Sequence, residues 1–141
     1  MLHRQDCMEP LKRALVVDDD DVARELLSSI LRNGGFEVFE LPTPIGATHT
    51  ILREDIDVLV LDVFMPSMDG DKFERLLRGN PKLGNLNIVL VSGASMDELS
   101  VVAKRVSASA VIPKDQVRER LLDAACGRIR RFRKDERSEA P

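Results

Sequence analysis

The stretch Val58-Leu-Val-Leu-Asp62 consists of an unbroken apolar run followed directly by a carboxylate. Similar short apolar runs recur along the chain at residues 14–17, 88–91 and 110–112. Runs of this length are typical of strands that are buried on both faces of a parallel sheet. Residues 36–40 instead alternate between apolar and polar side chains, which predicts an edge strand with one exposed face.

Helical patterns separate these predicted strands. Residues 22–32 carry apolar side chains at helical spacing, with Asp20 or Asp21 available as the N-cap and glycines at 34–35 to end the helix. Further helices are predicted at 44–53, 69–78 and 95–106, and from about 115 through 129 or 132. The order βαβαβαβαβα predicts an α/β protein whose parallel sheet carries helices on both sides.

Length and composition favour one soluble, cytoplasmic domain. The 141 residues can bury a single core, and a net charge of −3 gives no reason to expect nucleic acid or an anionic membrane as a partner. Cys7 and Cys126 lack metal-type spacing and are expected to be reduced. Residues 1–12 have no apolar signal-peptide region, and no apolar run approaches the ~20 residues that span a bilayer.

Polar residues follow four of the predicted strands. Asp18 and Asp19 follow the first strand, Asp62 the third and Ser92 the fourth, while Lys114 lies just beyond the fifth. Ligands bind at the carboxyl ends of the strands in open α/β sheets, so these residues form a candidate site. Clustered carboxylates need a cation, and Mg²⁺ prefers oxygen ligands. Ser92 and Lys114 could then bind phosphoryl oxygens, and Asp62 could form an acyl phosphate as the nucleophile.

Each of these residues also has an ordinary structural explanation. An aspartate after a strand is often a helix N-cap, Ser92-Gly93 by itself is a turn, and Lys114 by itself is a solvated surface residue. Their joint placement at successive strand ends favours the functional interpretation.

These segments resemble the receiver domains of bacterial two-component systems, the CheY-like superfamily. The resemblance rests on residues 13–20, 91–93 and 112–114, and above all on the Leu-Asp-x-x-Met-Pro-x-Met-Asp-Gly stretch at 61–70. It covers about residues 12–127 and implies a flavodoxin-like (βα)5 doubly wound sheet in the strand order 2-1-3-4-5. Residues 1–11 are then an N-terminal leader, and residues 128–141 are a basic extension of the last helix and a tail.

The resemblance implies a Mg²⁺ site and a phospho-acceptor. Asp62 would accept the phosphoryl group, and Asp19 would bind the ion directly. Asp18 would act mainly through metal-bound water, and the backbone carbonyl of Phe64 would complete the protein ligands.

The resemblance also implies how the protein signals. Ser92 and Lys114 match the family's Ser/Thr and Lys that contact the phosphoryl group. The donor would be a histidine kinase or a histidine phosphotransfer protein. With no output domain apparent after residue 134, we expect a stand-alone receiver that signals to an unknown downstream protein by contact or onward phosphotransfer. It would not be an enzyme beyond its own phosphorylation and dephosphorylation, and it could form a homodimer through the face built from residues 95–131.

Three positions depart from the family pattern. Val111 occupies a position that is usually aromatic, so an aromatic ring coupled to Ser92 is not available. Asp115 replaces the proline that usually follows the lysine, which disfavours a cis peptide bond there. Phe64 lies two residues after the acceptor, where its ring is expected to hinder water.

The segment 127–134 is strongly basic. It could bind nucleic acid or an acidic partner. We favour a solvated helix end, because cations complement the negative end of the helix dipole.

Two other functions remain open from the sequence. A haloacid-dehalogenase-type phosphatase would use Asp18 as the nucleophile and Asp20 as the acid/base. However, the chain shows no closing acidic motif after Lys114 and has no room for a cap. A pseudo-receiver would bind partners by shape alone, which the intact set of site residues disfavours.

Overall fold

A computed structural model describes residues 12–62, 86–93 and 108–127 of the chain. All five predicted strands are present in the described ranges, and they form one parallel sheet in the order β2-β1-β3-β4-β5. The strands are β1 Arg13–Val17, β2 Glu37–Leu41, β3 Val58–Asp62, β4 Asn87–Ser92 and β5 Ala110–Pro113. The predicted α/β class and the flavodoxin-like strand order are therefore confirmed.

Three α-helices lie in the described ranges: α1 Asp21–Asn33, α2 Ala47–Arg53 and α3 Val117–Ala125. A short 3₁₀ turn, Lys114–Gln116, leads into α3. The helices predicted at 69–78 and 95–106 fall outside the described residues. Within the described part of the chain, no helix is both long enough and apolar enough to cross a membrane.

The sheet is covered by helices on both faces. Leu27 and Leu31 of α1 and Leu121 of α3 are buried against one face of the central strands, whereas Ala47 and Ile51 of α2 are buried against the other. The side chains of β3 are buried along its whole length, including its last residue. This double coverage explains why the central strands are uninterrupted apolar runs.

The edge strand β2 lies where it was predicted, but it lacks the predicted exposed face. Val38 packs against the cluster that contains α1, and Phe39 packs against the cluster that contains α2. Both faces of β2 are therefore partly covered. The polar side chains of Glu37 and Glu40 are instead held by arginines of β1 and α1.

The last helix is shorter than the sequence pattern predicts. α3 ends at Ala125, and Gly127 has a φ of 79°, in the left-handed region that favours glycine. An unbroken helix from 117 to 129 is therefore not formed. Asn87 of β4 helps to end α3, since its Nδ2 donates to the carbonyl oxygens of Ala124 and Ala125, each at 3.2 Å.

Candidate functional site

The candidate site lies at the carboxyl ends of four adjacent strands. Asp18 directly follows β1, Asp62 and Ser92 are the last residues of β3 and β4, and Lys114 directly follows β5. These strands are neighbours in the order β1-β3-β4-β5, so the structure brings the four residues to one edge of the sheet. Asp19, the next residue after Asp18, joins them there.

Three carboxylates meet at this edge. One oxygen each from Asp18, Asp19 and Asp62 lies within 4.8 Å of the others. Asp18 is fully buried and Asp62 is 6% exposed, whereas Asp19 is exposed. Carboxylates this close repel one another, and the repulsion is strong where water is excluded. A cation is needed to relieve it.

Lys114 supplies one positive charge. Its Nζ donates a hydrogen bond to Asp62 Oδ2 at 3.2 Å and lies 3.6 Å from Asp18 Oδ2. Burial alone would lower the pKa of Lys114, but the charges of Asp62 and Asp18 outweigh burial and raise the pKa. The ammonium group is therefore charged at neutral pH. With all three carboxylates ionised, one lysine leaves two negative charges uncompensated.

Asp18 is held rigidly at the centre of the site. Its backbone N–H donates to the Leu41 carbonyl at 3.2 Å, and its Oδ1 accepts from the Asp20 N–H at 2.9 Å. Its Oδ2 is buried and accepts no hydrogen bond from any residue in the described ranges. Burial raises the pKa of Asp18; the Asp20 hydrogen bond opposes this rise, and the Asp62 charge adds to it.

This geometry suits a hard divalent cation. The clustered donors are all carboxylate oxygens, which Mg²⁺ prefers. The buried Oδ2 of Asp18 offers an acceptor that a cation would satisfy. The residues present therefore fit Mg²⁺ at this edge of the sheet. The backbone carbonyl of Phe64, expected to be a further ligand, lies outside the described residues.

Asp20 has a structural role in α1. Its Oδ1 accepts from the Val22 N–H at 3.3 Å, which makes Asp20 the N-cap. The sequence pattern did not decide between Asp20 and Asp21 as the N-cap. A capping carboxylate is engaged at the helix end, which counts against Asp20 as the acid/base of a phosphatase.

Around Lys114, the residues that depart from the family pattern adopt ordinary conformations. No cis peptide bond occurs in the described ranges, and these include the Lys114–Asp115 bond, in agreement with the prediction. Val111 is partly buried and packs against the apolar cluster of Leu59 and Leu90. Val111 therefore fills part of the core at the position where the family usually has an aromatic ring.

Arg24 was not singled out by sequence reasoning, although it contacts the site. Its Nη1 donates to the Asp18 carbonyl at 2.7 Å. The only sequence signal was the i,i+3 spacing of Asp21 and Arg24 on a predicted helix. That spacing indicates a surface ion pair and gives no hint of a contact with the end of β1.

Comparison with known proteins gives consistent results. A family model described as the response regulator receiver domain matches residues 14–126. The response regulator MprA of Mycobacterium tuberculosis is 32% identical over 128 residues, which cover 91% of this chain and 55% of MprA. A protein-glutamate methylesterase/protein-glutamine glutaminase of Cupriavidus metallidurans is 36% identical over 118 residues, which cover 79% of this chain and 32% of that protein.

The fold is also found in a solved structure, which matches over its whole length and over most of this chain. The chemotaxis protein CheY4 of Vibrio cholerae matches with a TM-score of 0.75 and 25% identity, covering 85% of this chain and 100% of CheY4. By contrast, this chain spans only between about a third and just over half of the length of its curated relatives.

Proposed function

Because the chain belongs to the response regulator receiver domain family, we propose that it accepts a phosphoryl group on Asp62 in a Mg²⁺-dependent reaction. The observation that carries this proposal is the placement of Lys114 Nζ 3.2 Å from Asp62 Oδ2, beside a cluster of three carboxylates. A carboxylate suited to act as the nucleophile, a cation and a set of oxygen donors lie together at this edge of the sheet. Phosphoryl transfer requires little beyond such positioning and charge neutralisation.

The reaction is a displacement at phosphorus. A carboxylate oxygen of Asp62 forms a bond to the phosphorus of the donor, and the bond between phosphorus and the donor's histidine nitrogen breaks. The electron pair of that bond leaves with the imidazole, and Asp62 becomes an acyl phosphate. Lys114 and the Ser92 hydroxyl donate hydrogen bonds to the phosphoryl oxygens.

The carboxylates of Asp18, Asp19 and Asp62, with the Phe64 carbonyl, are proposed to hold the ion. When bound, Mg²⁺ neutralises negative charge on the incoming phosphoryl group and on the carboxylates. The protein's own contribution is to hold these donors at fixed positions. Asp18 is the most constrained of them, because it is fully buried and bonded through its backbone and its Oδ1.

The relatives support a role in receiving a signal. The matched segment is shared by a response regulator and by a protein-glutamate methylesterase, each of which is longer than this chain. A segment common to proteins with different outputs is best explained as their common input step. We propose that this chain acts in the same way, with residues 12–127 as the receiver and residues 1–11 and 128–141 as flanking segments.

The proposed partners follow from this role. A histidine kinase or a histidine phosphotransfer protein in the cytoplasm would donate the phosphoryl group, and a downstream protein would recognise the phosphorylated form. The receiver would catalyse only its own phosphorylation and dephosphorylation. A homodimer through the 95–131 face remains a prediction, since much of that face lies outside the described residues.

The decisive test is mass spectrometry after incubation with acetyl phosphate. We expect one phosphoryl group on Asp62, absent in Asp62→Asn and absent after Mg²⁺ is chelated. Asp57→Asn is the matched control, because Asp57 is an exposed aspartate that directly precedes the same strand. Equal labelling of wild type and Asp62→Asn would overturn the proposal.

The same experiment separates the alternatives. A pseudo-receiver would take up no label in any condition. A phosphatase that used Asp18 as its nucleophile would carry the label on Asp18, and it would hydrolyse phosphate esters that a receiver leaves intact. The full burial of Asp18 and the capping role of Asp20 count against this alternative.

A further inference from the structure

Arg24 links three parts of the structure around the carboxyl end of β1. Its Nη1 donates to the carbonyl oxygen of Asp18 at 2.7 Å. Its Nη2 lies 2.6 Å from Asp21 Oδ1 in the first turn of α1, and its Nε lies 3.4 Å from Glu40 Oε1 in β2. The Arg24 side chain is only 16% exposed, so the guanidinium is held between the helix and the edge strand.

The contact between Arg24 and the Asp18 carbonyl affects the orientation of both Asp18 and Asp19. That carbonyl belongs to the planar peptide unit that joins Asp18 to Asp19. Fixing its oxygen restricts ψ of Asp18 and φ of Asp19, and thereby the directions in which the two side chains leave the backbone. The Asp19 carboxylate is exposed, and no residue in the described ranges forms a hydrogen bond or an ion pair with it. Its position therefore depends on the backbone.

The charge of Arg24 is already matched locally. Asp21 and Glu40 both lie within ion-pair distance of its guanidinium. Arg24 reaches the site through the backbone carbonyl of Asp18, whereas Lys114 lies at the carboxylates themselves. The geometry thus indicates a hydrogen-bonding role for Arg24 and not a role as a second counter-charge.

We propose that Arg24 is a positioning residue that fixes the Asp18–Asp19 peptide unit for Mg²⁺ binding, and that Glu40 holds Arg24 in the required rotamer. This inference rests on the proposed function, in which Asp18 and Asp19 bind Mg²⁺. Residues that orient the ligands of a metal typically contribute 10–100-fold to metal affinity. Because Arg24 acts through a backbone carbonyl, we expect an effect at the lower end of that range.

The chain supplies a matched control on the same helix. Arg32 also pairs with Glu40, with its Nη2 3.1 Å from Oε2, and also donates to a backbone carbonyl, that of Val38. In the described part of the chain, no hydrogen bond or ion pair joins Arg32 to Asp18 or Asp19. Arg24→Met and Arg32→Met therefore remove the same charge from α1 and one partner of Glu40, but only Arg24→Met removes the contact with the site.

The experiment measures Mg²⁺ affinity by isothermal titration calorimetry, without any phosphodonor. We expect Arg24→Met to weaken Mg²⁺ binding by about tenfold and Arg24→Lys to weaken it less, because the lysine ammonium group can still donate to a carbonyl oxygen. Arg32→Met should bind as wild type does. The direction of the change in Mg²⁺ affinity is informative. Removal of a positive charge by itself makes the site more negative and would tighten Mg²⁺ binding.

A spectroscopic readout accompanies the titration. The ¹³C shift of the Asp18 carbonyl should move in metal-free Arg24→Met and stay unchanged in Arg32→Met. Urea unfolding of each variant checks that it is folded. If Arg24→Met does not fold, Arg24→Lys and Glu40→Gln replace it, and unchanged Mg²⁺ affinity in both variants overturns the proposal.

The remaining outcomes are also decisive. Equal or tighter Mg²⁺ binding by folded Arg24→Met, or equal losses in Arg24→Met and Arg32→Met, overturns the positioning role and leaves the proposed function intact. A wild-type protein that binds no Mg²⁺ overturns both.

Discussion

The ammonium group of Lys114 donates a hydrogen bond to the carboxylate of Asp62 at 3.2 Å, although the two residues lie 52 positions apart in the chain. Asp62 ends β3 and Lys114 follows β5, with β4 between these strands in the sheet. The long lysine side chain therefore reaches across the end of β4 to make this contact. It places a cation where an oxygen of a phosphoryl group on Asp62 would arrive.

Lys114 and Asp62 are expected to be energetically coupled in the Mg²⁺-free protein. Lys114→Met leaves Asp62 and Asp18 without their cation, so it should lower the free energy of unfolding by about 1–2 kcal/mol, a figure reduced from that of a fully buried pair because Lys114 is partly exposed. In an Asp62→Asn background, Lys114→Met should lower the free energy of unfolding by clearly less. Urea unfolding of the four proteins of this cycle measures the coupling. Additive effects would contradict it.

The contribution of Asp18 to the stability of the Mg²⁺-free protein is expected to fall as pH rises above 3.8. The folded state raises the pKa of Asp18 above its ordinary value of 3.8, so in that range the folded protein retains a proton that the unfolded chain has released. Ionisation of Asp18 therefore costs folding free energy, and Asp18→Asn should remove this part of the pH dependence. Urea unfolding in EDTA between about pH 4 and pH 8 compares the two proteins. Parallel pH profiles would show that Asp18 contributes nothing.

The phosphorylated state is expected to be transmitted through the end of β4. Ser92 is almost fully buried there, and a phosphoryl oxygen should draw its hydroxyl inward and displace Gly93. Val111 is too small and too stiff at χ1 to swing as an aromatic ring would, so the loop after β4 should carry the change. We expect amide shifts between residues 93 and 112 on addition of beryllofluoride, which are lost in Ser92→Ala. Changes confined to residues 18–21 and 62–70 would place the output surface elsewhere.

Phe64 is expected to slow loss of the phosphoryl group. An apolar ring two residues after the acceptor in the sequence is expected to exclude the attacking water, and Phe64→Asn should therefore dephosphorylate faster. The measurement is the decay of phosphorylated protein after removal of the donor. Phe64→Leu serves as the control, since it keeps an apolar side chain. A rate for Phe64→Asn no greater than that of wild type would exclude this role.

Asn87 is expected to stabilise the protein by capping α3 from the sheet. Its amide donates to two terminal carbonyl oxygens of the helix, so Asn87→Ala should lower the free energy of unfolding by about 1–2 kcal/mol. Asn87→Asp should lower the free energy of unfolding further, because a carboxylate would face those oxygens and the negative end of the helix dipole. Asn33→Ala, at an exposed position near the end of α1, is the control for urea unfolding. If Asn87→Asp were the more stable of the two variants, the capping role would be wrong.

Much of the fold was decided by local patterns. The apolar run of β3 and its counterparts require strands that are covered on both faces, and the alternation with helical patterns leaves a parallel sheet as the arrangement that buries them. The carboxyl ends of parallel strands share one edge, so Asp18, Asp62 and Ser92 had to lie near one another once the strand order was known. The strand order itself was inferred from the resemblance and not from these patterns.

Other features were decided only by the tertiary structure. Val38 and Phe39 lie on opposite faces of β2, and helices cover both, which the sequence of one strand cannot show. The pattern of apolar residues continues to Ile129, yet α3 ends at Ala125, because Gly127 turns left-handed.

The contact between Arg24 and the Asp18 carbonyl illustrates the physical reason. A side chain's rotamer and its backbone partners depend on how helix and strand pack, and a backbone carbonyl carries no sequence signal at all. The sequence alone determined which chemical groups reach the edge of the sheet. Only the packing of α1 against β1 and β2 decided which residue holds them in place.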